Sequence, residues 1–413
     1  MGLPAKIASR PLINETRLSR WHPYPAMVPD ELAIKLVNEY VNANDRVLDP
    51  FCGSGRLLMA AAAVGANCVG YDVNPLALLL TKAKAAKIPS ARIKSIRDLA
   101  LSESLDAPPV APISLQARLK VQWFSDEVAA ELAQILQWIN GQNFNFEERL
   151  VLAVALSGAT RDASWIRKSG WKLHRESEVV RGMQRVSAWA KFVRRLDHYV
   201  ANHQKVFIDG NVSVIRGDIR HIDQCNENKF DHILTSPPYG DSKTTVQYGA
   251  ASGICLDVVS RISGLSEFFA YGNVIDRACL GGYSNEEFPL ELSLKPYWAG
   301  SADGLHIGRV RQFLEDFDRS CVSIANLMKT GGTATLIVAR RTVGGFRLKL
   351  DKFAIDRLSV RGLSLLNISK RQLRNKRLPS HINRFAGSSS AELKSRGSTK
   401  TMDEEIVITM RLN

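Results

Sequence analysis

The chain has 413 residues, of which 45% are hydrophobic and 23% charged, enough for one large domain with insertions or for two domains with separate cores. No stretch reaches the ~18 uninterrupted apolar residues of a membrane span, and the N-terminal residues lack the apolar core of a secretory signal, so we expect a cytoplasmic protein without membrane contact. The formal net charge of +14 implies a polyanionic partner, because a basic surface raises the encounter rate with phosphate backbones.

The first predicted elements are an extended segment with several prolines, Trp21–Pro29, and a helix from about Glu31 to Tyr40. Asp30 is predicted to cap this helix, because an aspartate oxygen can accept a hydrogen bond from a free backbone amide of the first turn. The extended segment is either a packing arm or part of a ligand site, and the residues alone favour neither.

A strand, a glycine turn and a helix follow, in the run Arg46-Val-Leu-Asp-Pro-Phe-Cys-Gly-Ser-Gly55 and in Leu57–Val64. In α/β proteins the opening amides of such a helix face a ligand. The next predicted strand ends at Asp72, whose carboxylate can accept both ribose hydroxyls of a nucleoside cofactor. Asn74-Pro75 then opens the helix Leu76–Lys87. This is the βαβ half of a nucleoside-binding sheet.

From about Ile88 to Gln204 the alternation of strands and helices stops. Asp126–Ile139 and Phe146–Thr160 have helical periodicity, and a run rich in Trp, Arg and Lys follows from Trp165 to Arg195. We predict a helical insertion. Its basic run either lines phosphates and stacks on bases or is a solvated face over a tryptophan-containing core.

The sheet resumes with the strands Val212–Asp218 and Lys229–Leu234, and the second strand leads into Thr235-Ser-Pro-Pro-Tyr-Gly240. Consecutive prolines cannot donate to a ladder, so the chain leaves the sheet there as a rigid corner. The corner carries the Ser236 hydroxyl, fixed carbonyl groups and the Tyr239 ring. It is either a holder for a flat base with an amino group or a plain surface turn.

Together, the Asp49–Gly55 and Ser236–Tyr239 stretches resemble the amino-methylating (N4-cytosine and N6-adenine) DNA methyltransferases. In that family an Asp-Pro-Phe-x-Gly-Ser-Gly motif binds S-adenosyl-L-methionine, and a Ser/Asp/Asn-Pro-Pro-Tyr motif holds the target amine. The resemblance implies an α/β fold with a Rossmann-like S-adenosylmethionine-dependent methyltransferase sheet, a helical insertion and a second, loop-rich insertion.

The resemblance also implies the reaction and its partners. Serine before Pro-Pro-Tyr is, within the family, more usual for N4 of cytosine, while N6 of adenine and an RNA base on the same fold are alternatives. The implied partners are double-stranded DNA with a flipped target base and a cognate restriction endonuclease that acts on the same site, as in a restriction-modification system.

The resemblance assigns individual residues as well. A His-x-Tyr-Pro-Ala segment such as the one at Tyr24 helps to enclose the methionine part of the cofactor, and an acidic residue at the position of Asp218 contacts the adenine amino group, with a helix N-cap as the alternative role. The cofactor candidates are Tyr24, Pro25, Asp49, Phe51, Gly53, Ser54, Gly55, Asp72, Asn74 and Asp218. The catalytic candidates are Ser236, Pro237, Pro238 and Tyr239. Because Gly53-Ser54-Gly55 lacks the Gly-x-Gly-x-x-Gly spacing of pyrophosphate sites, S-adenosylmethionine is favoured over NAD.

The C-terminal part is predicted as a helix over Gly308–Met328, a glycine stop at Lys329–Gly332, a strand over Thr333–Ala339 and an edge or returning strand at Glu404–Met410. The densest basic stretch lies between Arg340 and Arg384. Placing so many positive charges on one face would be unfavourable without an anion to bind them. Its candidates for binding DNA phosphates are Lys370, Arg371, Arg374, Lys376 and Arg377.

These elements predict five segments along the chain. They are a cofactor-binding half at residues 20–87, the helical insertion at 88–204, the strands of the catalytic motif at 205–240, a loop-rich insertion at 241–307 and the remainder with the basic DNA-facing stretch at 308–413. Either insertion could read the target sequence.

The cysteines argue against two other chemistries. The six cysteines show no Cys-x-x-Cys spacing, which favours reduced thiols over a disulfide framework or a zinc site, and we expect no metal. No Pro-Cys dipeptide occurs, which argues against methylation at cytosine C5 through a cysteine nucleophile.

Overall fold

The structure is a computed structural model that describes residues 21–112, 123–167, 174–183, 186–203, 208–222, 229–240, 246–268, 272–282, 297–299, 304–343, 346–372, 381–382, 399–400 and 404–413. It divides into two compact units. The first unit consists of Met1–Asp45, Cys52–Arg216 and Gly249–Gly272, and the second of Arg46–Phe51, Gly217–Tyr248 and Asn273–Asn413.

The α-helices, in chain order, are α1 (Asp30–Tyr40), α2 (Arg56–Ala63), α3 (Pro75–Ala85), α4 (Ser90–Asp106), α5 (Asp126–Gly141), α6 (Phe146–Ala163), α7 (Glu178–Met183), α8 (Ala188–His203), α9 (Tyr248–Val259), α10 (Gly272–Ala278), α11 (Gly304–Asn326) and α12 (Leu350–Ser359). Short 3-10 helices lie at Ile219–His221 and Ser266–Phe268.

The strands are β1 (Arg46–Asp49), β2 (Asn67–Asp72), β3 (Asn211–Arg216), β4 (Phe230–Thr235), β5 (Trp298–Ala299), β6 (Met328–Val338), β7 (Arg341–Val343), β8 (Phe346–Leu348), β9 (Leu363–Gln372), β10 (His381–Ile382), β11 (Thr399–Lys400) and β12 (Glu404–Leu412). In the first unit β2 pairs with β3, and in the second unit the strands have the order β1-β4-β6-β12-β9. Because most of these strand pairs are parallel and the helices alternate with strands, the α/β prediction is confirmed.

The first unit contains β2 and β3, which pair in parallel with Asp72 opposite Arg216. The helix α6 packs on α3, α5 and α8. Residues 150–161 of α6 are buried throughout, because apolar and small side chains surround the helix axis instead of forming one stripe. All the described α-helices between residues 88 and 204, α4 to α8, belong to this unit.

The second unit contains the parallel strands β1, β4 and β6, followed by β12 and β9 in antiparallel orientation. The helix α12 packs on α11 and on the strands β9 and β12. The final strand, β12, pairs with β6 on one side and β9 on the other, so it is a returning strand inside the sheet.

Two local predictions were wrong. The glycines of Lys329–Gly332 do not stop a helix, because α11 ends at Asn326 and these residues already belong to β6, where the pairing with β4 is irregular and Gly331 has a φ of +79°. Asp30 does not cap α1, since Pro29 occupies that position and the Asp30 carboxylate pairs with Arg56 at 3.0 Å.

Candidate active site

The glycine turn before α2 has a backbone that only glycine adopts readily. Gly53 and Gly55 have φ values of +50° and +78°, in the left-handed region. A Cβ on Gly55 would lie 2.4 Å from the Cγ2 atom of Thr81, so a larger residue is excluded by space as well. The helix α3 holds the turn, since Thr81 Oγ1 donates to the Gly53 carbonyl at 3.2 Å and Lys84 Nζ donates to the Ser54 carbonyl at 2.7 Å.

Asp72 ends β2 beside this turn. One carboxylate oxygen accepts the Gly53 amide and the other accepts the Asn74 amide, both at 2.8 Å. Burial raises the pKa of Asp72 to about 6, although these amides and that of Val73 favour the charged form. A carboxylate offers about four acceptor positions. The three amides occupy three of them, which leaves acceptor capacity for a ribose hydroxyl.

Asn74 links the N-terminal segment to this part of the chain. It is 1% exposed, its Oδ1 accepts the Leu76 amide at the start of α3, and its Nδ2 donates to Tyr24 Oη at 3.1 Å and to Ser252 Oγ at 2.9 Å. Tyr24 also contacts the turn, because a Cβ on Gly53 would lie 3.4 Å from its ring. The structure thus brings Tyr24, Gly53, Asp72 and Asn74 together, with Pro25 buried next in the chain.

The start of the N-terminal segment is a packing arm. His22 is 5% exposed, and its Nε2 lies 2.9 Å from Ser157 Oγ on α6. Burial, with the nearby positive charges of Arg195 and Arg161, lowers the pKa of His22 to about 3. His22 is therefore neutral at physiological pH, and Arg195 Nη1 donates to the Trp21 carbonyl at 2.7 Å.

In the second unit, Asp49 ties the ends of β1 and β4 together. It is 2% exposed, and its Oδ1 accepts the Thr235 hydroxyl at 2.6 Å and the Phe51 amide at 3.1 Å. Thr235 is the residue before Ser236, so this bond fixes the starting point of the proline corner.

The proline corner is held by a chain of polar side chains. Ser236 Oγ lies 3.3 Å from Tyr239 Oη, and Tyr239 Oη donates to Glu405 Oε1 at 3.2 Å. Arg371 Nη1 donates to Glu405 Oε2 at 2.9 Å. Pro237 is buried and Pro238 half-buried, so the corner between the serine and the tyrosine is packed as well as stiff. Burial and the Glu405 carboxylate raise the pKa of Tyr239, and burial raises the pKa of Glu405 against the effect of Arg371.

Asp218 has both carboxylate oxygens engaged. It caps the short helix Ile219–His221 by accepting the Arg220 amide at 3.0 Å, and its Oδ2 accepts Arg220 Nε at 2.9 Å. The same guanidinium pairs with Asp316 at 2.7 Å. The N-cap role that the sequence left open is therefore present, and contact with the cofactor adenine stays a prediction.

The candidates for binding DNA are only partly described. Lys370 on β9 is exposed, while Arg371 pairs with Glu405 and is half-buried. Arg374, Lys376 and Arg377 lie outside the described residues. In the helical insertion, Trp189 is 4% exposed and Arg195 pairs with Asp162 at 3.0 Å, so part of that basic run serves helix packing.

Sequence reasoning missed the contacts made across the fold. Ser252 reaches Asn74 over 178 residues, and Glu405 reaches Tyr239 over 166 residues. Neither lies in a motif, and an isolated serine or glutamate carries no local signal of its partner. Arg371 was singled out only for its charge, and its pairing with Glu405 follows from the β12–β9 register.

Within the described ranges, no group of His, Cys, Asp and Glu could hold a metal ion. The cysteines described there, Cys52, Cys68, Cys255, Cys279 and Cys321, are buried free thiols. None of the helices in the part of the chain that the structure covers is long and apolar enough to cross a membrane.

Residues 7–82 match the N6_N4_Mtase family model, described as DNA methylase. The chain is 26% identical over 430 residues to the Type II methyltransferase M.MvaI of Kocuria varians, which covers 95% of this chain and 90% of that protein. It is 22% identical over 264 residues to the Type II methyltransferase M.BsoBI of Geobacillus stearothermophilus, covering 57% and 52% of the two chains. The rRNA methyltransferase aviRa from Streptomyces viridochromogenes aligns over 96% of this chain and 93% of its own, with 9% identity and a TM-score of 0.36.

The family match lies on the segment that carries the glycine turn, Asp72 and Asn74, and the similarity to M.MvaI extends over nearly the whole chain. The resemblance seen in the sequence is thereby confirmed: this chain is similar to the amino-methylating DNA methyltransferases, and S-adenosyl-L-methionine is its cofactor.

Proposed function

We propose that this chain transfers the methyl group of S-adenosyl-L-methionine to the exocyclic N4 of a cytosine in duplex DNA, as the modification part of a restriction-modification system. The observation that carries the proposal is the proline corner, in which the Ser236 hydroxyl is oriented by Tyr239. In the family that the sequence resembles, serine at this place is more usual for cytosine than for adenine.

The residues of the first unit fit the cofactor. Gly53 and Gly55 have the left-handed backbone that bends the chain into the turn before α2, and Asp72 beside it keeps acceptor capacity for a ribose hydroxyl. Tyr24 and Asn74 would border the same turn. When bound, the cofactor supplies an electrophilic methyl group on a positively charged sulfur.

The residues of the second unit fit the target base. The exocyclic amine of cytosine is a poor nucleophile because its lone pair is delocalised into the ring. An acceptor for one amine hydrogen, such as Ser236 Oγ or a carbonyl of the proline corner, lets the nitrogen pyramidalise and recover that lone pair. The Tyr239 ring can stack on the base and offset part of the cost of taking it out of the duplex.

The expected product is N4-methylcytosine. Duplex DNA incubated with the purified protein and S-adenosylmethionine, then digested to nucleosides, identifies the product by mass spectrometry, and sequencing of the modified sites gives the target context. Transfer RNA treated in parallel is the control for the substrate.

Each other product has a definite meaning. N6-methyladenine would overturn the cytosine assignment and leave the mechanism, whereas 5-methylcytosine would overturn both. Methylation of transfer RNA but not of DNA would replace the proposed substrate by RNA.

The role of Asp72 predicts a cofactor affinity that depends on pH. Asp72→Ala should weaken binding of S-adenosylmethionine by ~1 to 3 kcal/mol, through loss of charge-assisted hydrogen bonds. Because burial raises the pKa of Asp72 to about 6, the carboxylate is ionised above that pH and protonated below it. The native protein should therefore bind more weakly as the pH falls from 7.5 to 5, and the variant should lose this dependence. Calorimetric titration at several pH values measures both effects.

Asp98→Asn is the matched control, since Asp98 is an exposed carboxylate on α4 whose side chain pairs with Arg97 at 3.1 Å. It should leave both the affinity and its pH dependence unchanged. Thermal unfolding of each variant separates loss of the ribose contact from loosening of the glycine turn. Equal affinity of Asp72→Ala and the native protein would remove Asp72 from the site.

A further inference from the structure

The tyrosine of the proline corner is tied at its hydroxyl end. Tyr239 Oη donates its single hydrogen to Glu405 Oε1 at 3.2 Å, so the Ser236 hydroxyl, 3.3 Å away, is the donor in the bond to Tyr239. Ser236 can also turn its hydrogen to the Ile337 carbonyl at 3.5 Å. In either orientation the Ser236 oxygen keeps lone pairs for an incoming N–H group. When the Ser236 hydrogen points to Tyr239, the hydrogen bonds run in one direction, from Ser236 through Tyr239 to Glu405.

The far end of this chain is a fixed carboxylate. Glu405 lies on β12, inside the sheet, and is 9% exposed. Its backbone is directly opposite Arg371 on β9, and the two side chains meet at 2.9 Å. One carboxylate oxygen thus receives Arg371 and the other receives Tyr239. Burying a carboxylate such as that of Glu405 costs free energy. Stacking on a base requires only the tyrosine ring, so it does not explain why Glu405 binds the Tyr239 hydroxyl.

We propose that Ser236, Tyr239 and Glu405 form a proton relay that takes up the hydrogen released by the target amine, with Arg371 holding Glu405 in position. The relay rests on the proposed function, because it needs an amine as the methyl acceptor. It adds Glu405 and Arg371 to the reaction as positioning residues, and it gives the Tyr239 hydroxyl a task separate from that of the ring.

The relay balances atoms and charge. The nitrogen lone pair forms the new N–C bond, and the electron pair of the broken C–S bond stays on sulfur. The nitrogen gives up one proton to Ser236 Oγ, while the Ser236 hydrogen passes to Tyr239 Oη and the Tyr239 hydrogen passes to Glu405 Oε1. Glu405 ends as a neutral carboxyl group, so one positive and one negative charge disappear in the same step. Loss of that proton to water restores the starting state.

The ionisation of Glu405 gives the relay a signature. Among the described residues, the charged and titratable groups that face Glu405 are Arg371 and Tyr239, with Tyr248 near the tyrosine. Burial raises the pKa of Glu405 more than Arg371 and Tyr239 lower it. Since the relay needs the ionised form, the rate of methyl transfer should rise with pH through a pKa above the usual range of a glutamate.

The test is single-turnover methyl transfer to duplex DNA by the full chain, measured across pH. Tyr239→Phe keeps the ring and removes the relay, and Glu405→Gln removes the final acceptor. Each should lower the rate about 10²-fold, the lower end of what general-base groups contribute, and abolish the rise with pH. Affinities for DNA and for S-adenosylmethionine should stay within twofold of native. Glu405→Asp should recover part of the rate.

Glu404→Gln is the matched control. Glu404 is the preceding residue on β12, and its carboxylate pairs with Arg347 at the long distance of 3.8 Å. The Glu404→Gln variant should therefore transfer methyl groups at the native rate and with the native pH profile. Thermal unfolding checks Glu405→Gln, because the change sets an amide against Arg371. If Glu405→Gln is unstable, the rate and pH profile of Tyr239→Phe alone decide whether the relay exists.

The failure of the relay is distinct from failure of the proposed function. If the native protein methylates DNA and both Tyr239→Phe and a folded Glu405→Gln match it at every pH, the relay is overturned and the function stands. If the native protein gives no methylated base, the function itself fails. A rate loss that appears equally in Glu404→Gln would also overturn the relay, since it would reflect strand stability.

Discussion

Ser236→Ala should retain DNA and S-adenosylmethionine binding and lose methyl transfer by at least ~10²-fold. The variant removes the hydroxyl that would accept a hydrogen of the target amine, and removing one positioned group of this kind commonly costs 10²- to 10³-fold in rate. Phosphate contacts are assigned to the basic stretch and not to the proline corner, so affinity for duplex DNA should not change. Single-turnover transfer of a radiolabelled methyl group measures the rate, and fluorescence anisotropy with labelled duplex measures the affinity.

The control is Ser323→Ala, since Ser323 is a half-buried serine of the same unit whose hydroxyl bonds only weakly to its own helix, 3.5 Å from the Arg319 carbonyl. It should transfer methyl groups at the native rate. Full activity of Ser236→Ala would leave the proline corner with backbone carbonyls alone, and the serine-based argument for cytosine would fail with it.

The strands near the candidate site were predictable because their signals are local. β-branched and apolar runs that end at proline or glycine gave β1, β2, β3 and β4 within about two residues, and the Asn74-Pro75 pair marked the start of α3. The strand at residues 328–332 was not predictable in this way. Two adjacent glycines normally indicate a turn, and here they lie where the pairing with β4 is irregular, between the pairs Phe230–Met328 and His232–Thr333.

The interactions that orient the candidate side chains were not predictable, because their partners come from distant segments. Tyr239 was expected to act through its ring alone, but β12 returns at the end of the chain and places Glu405 at its hydroxyl. Asn74 is similar, since its bond to Ser252 depends on how α9 packs within the first unit. Local patterns therefore identified the residues of the two motifs, whereas the groups behind them needed the folded chain.

The same distinction applies to charge. Arg371 was selected because it lies in a dense basic stretch, and its neighbour Lys370 is indeed exposed on β9. Alternation along a strand sends successive side chains to opposite faces. Arg371 accordingly turns to Glu405, and a count of basic residues cannot separate the two roles.

Tyr239→Ala should be the most damaging single change in the proline corner. It removes both the ring, at ~1 to 3 kcal/mol per stacked base, and the hydroxyl that joins Ser236 to Glu405. We expect turnover to fall by more than the ~10²-fold expected for Tyr239→Phe. The affinity for S-adenosylmethionine should be unchanged, because that site is assigned to Asp72 and the glycine turn.

For each variant, both the rate of methyl transfer and the extent of base flipping are measured. A duplex carrying 2-aminopurine at the target position reports an unstacked base by its fluorescence, and the same samples give the rate of methyl transfer when cytosine is restored. Tyr239→Phe should keep the fluorescence rise and lose rate, whereas Tyr239→Ala should lose both. Tyr40→Ala, a half-buried tyrosine at the end of α1 whose hydroxyl donates to Glu39, is the control and should change neither. If Tyr239→Ala flips the base as well as the native protein does, the ring does not hold the base, and the proline corner would act through its polar groups alone.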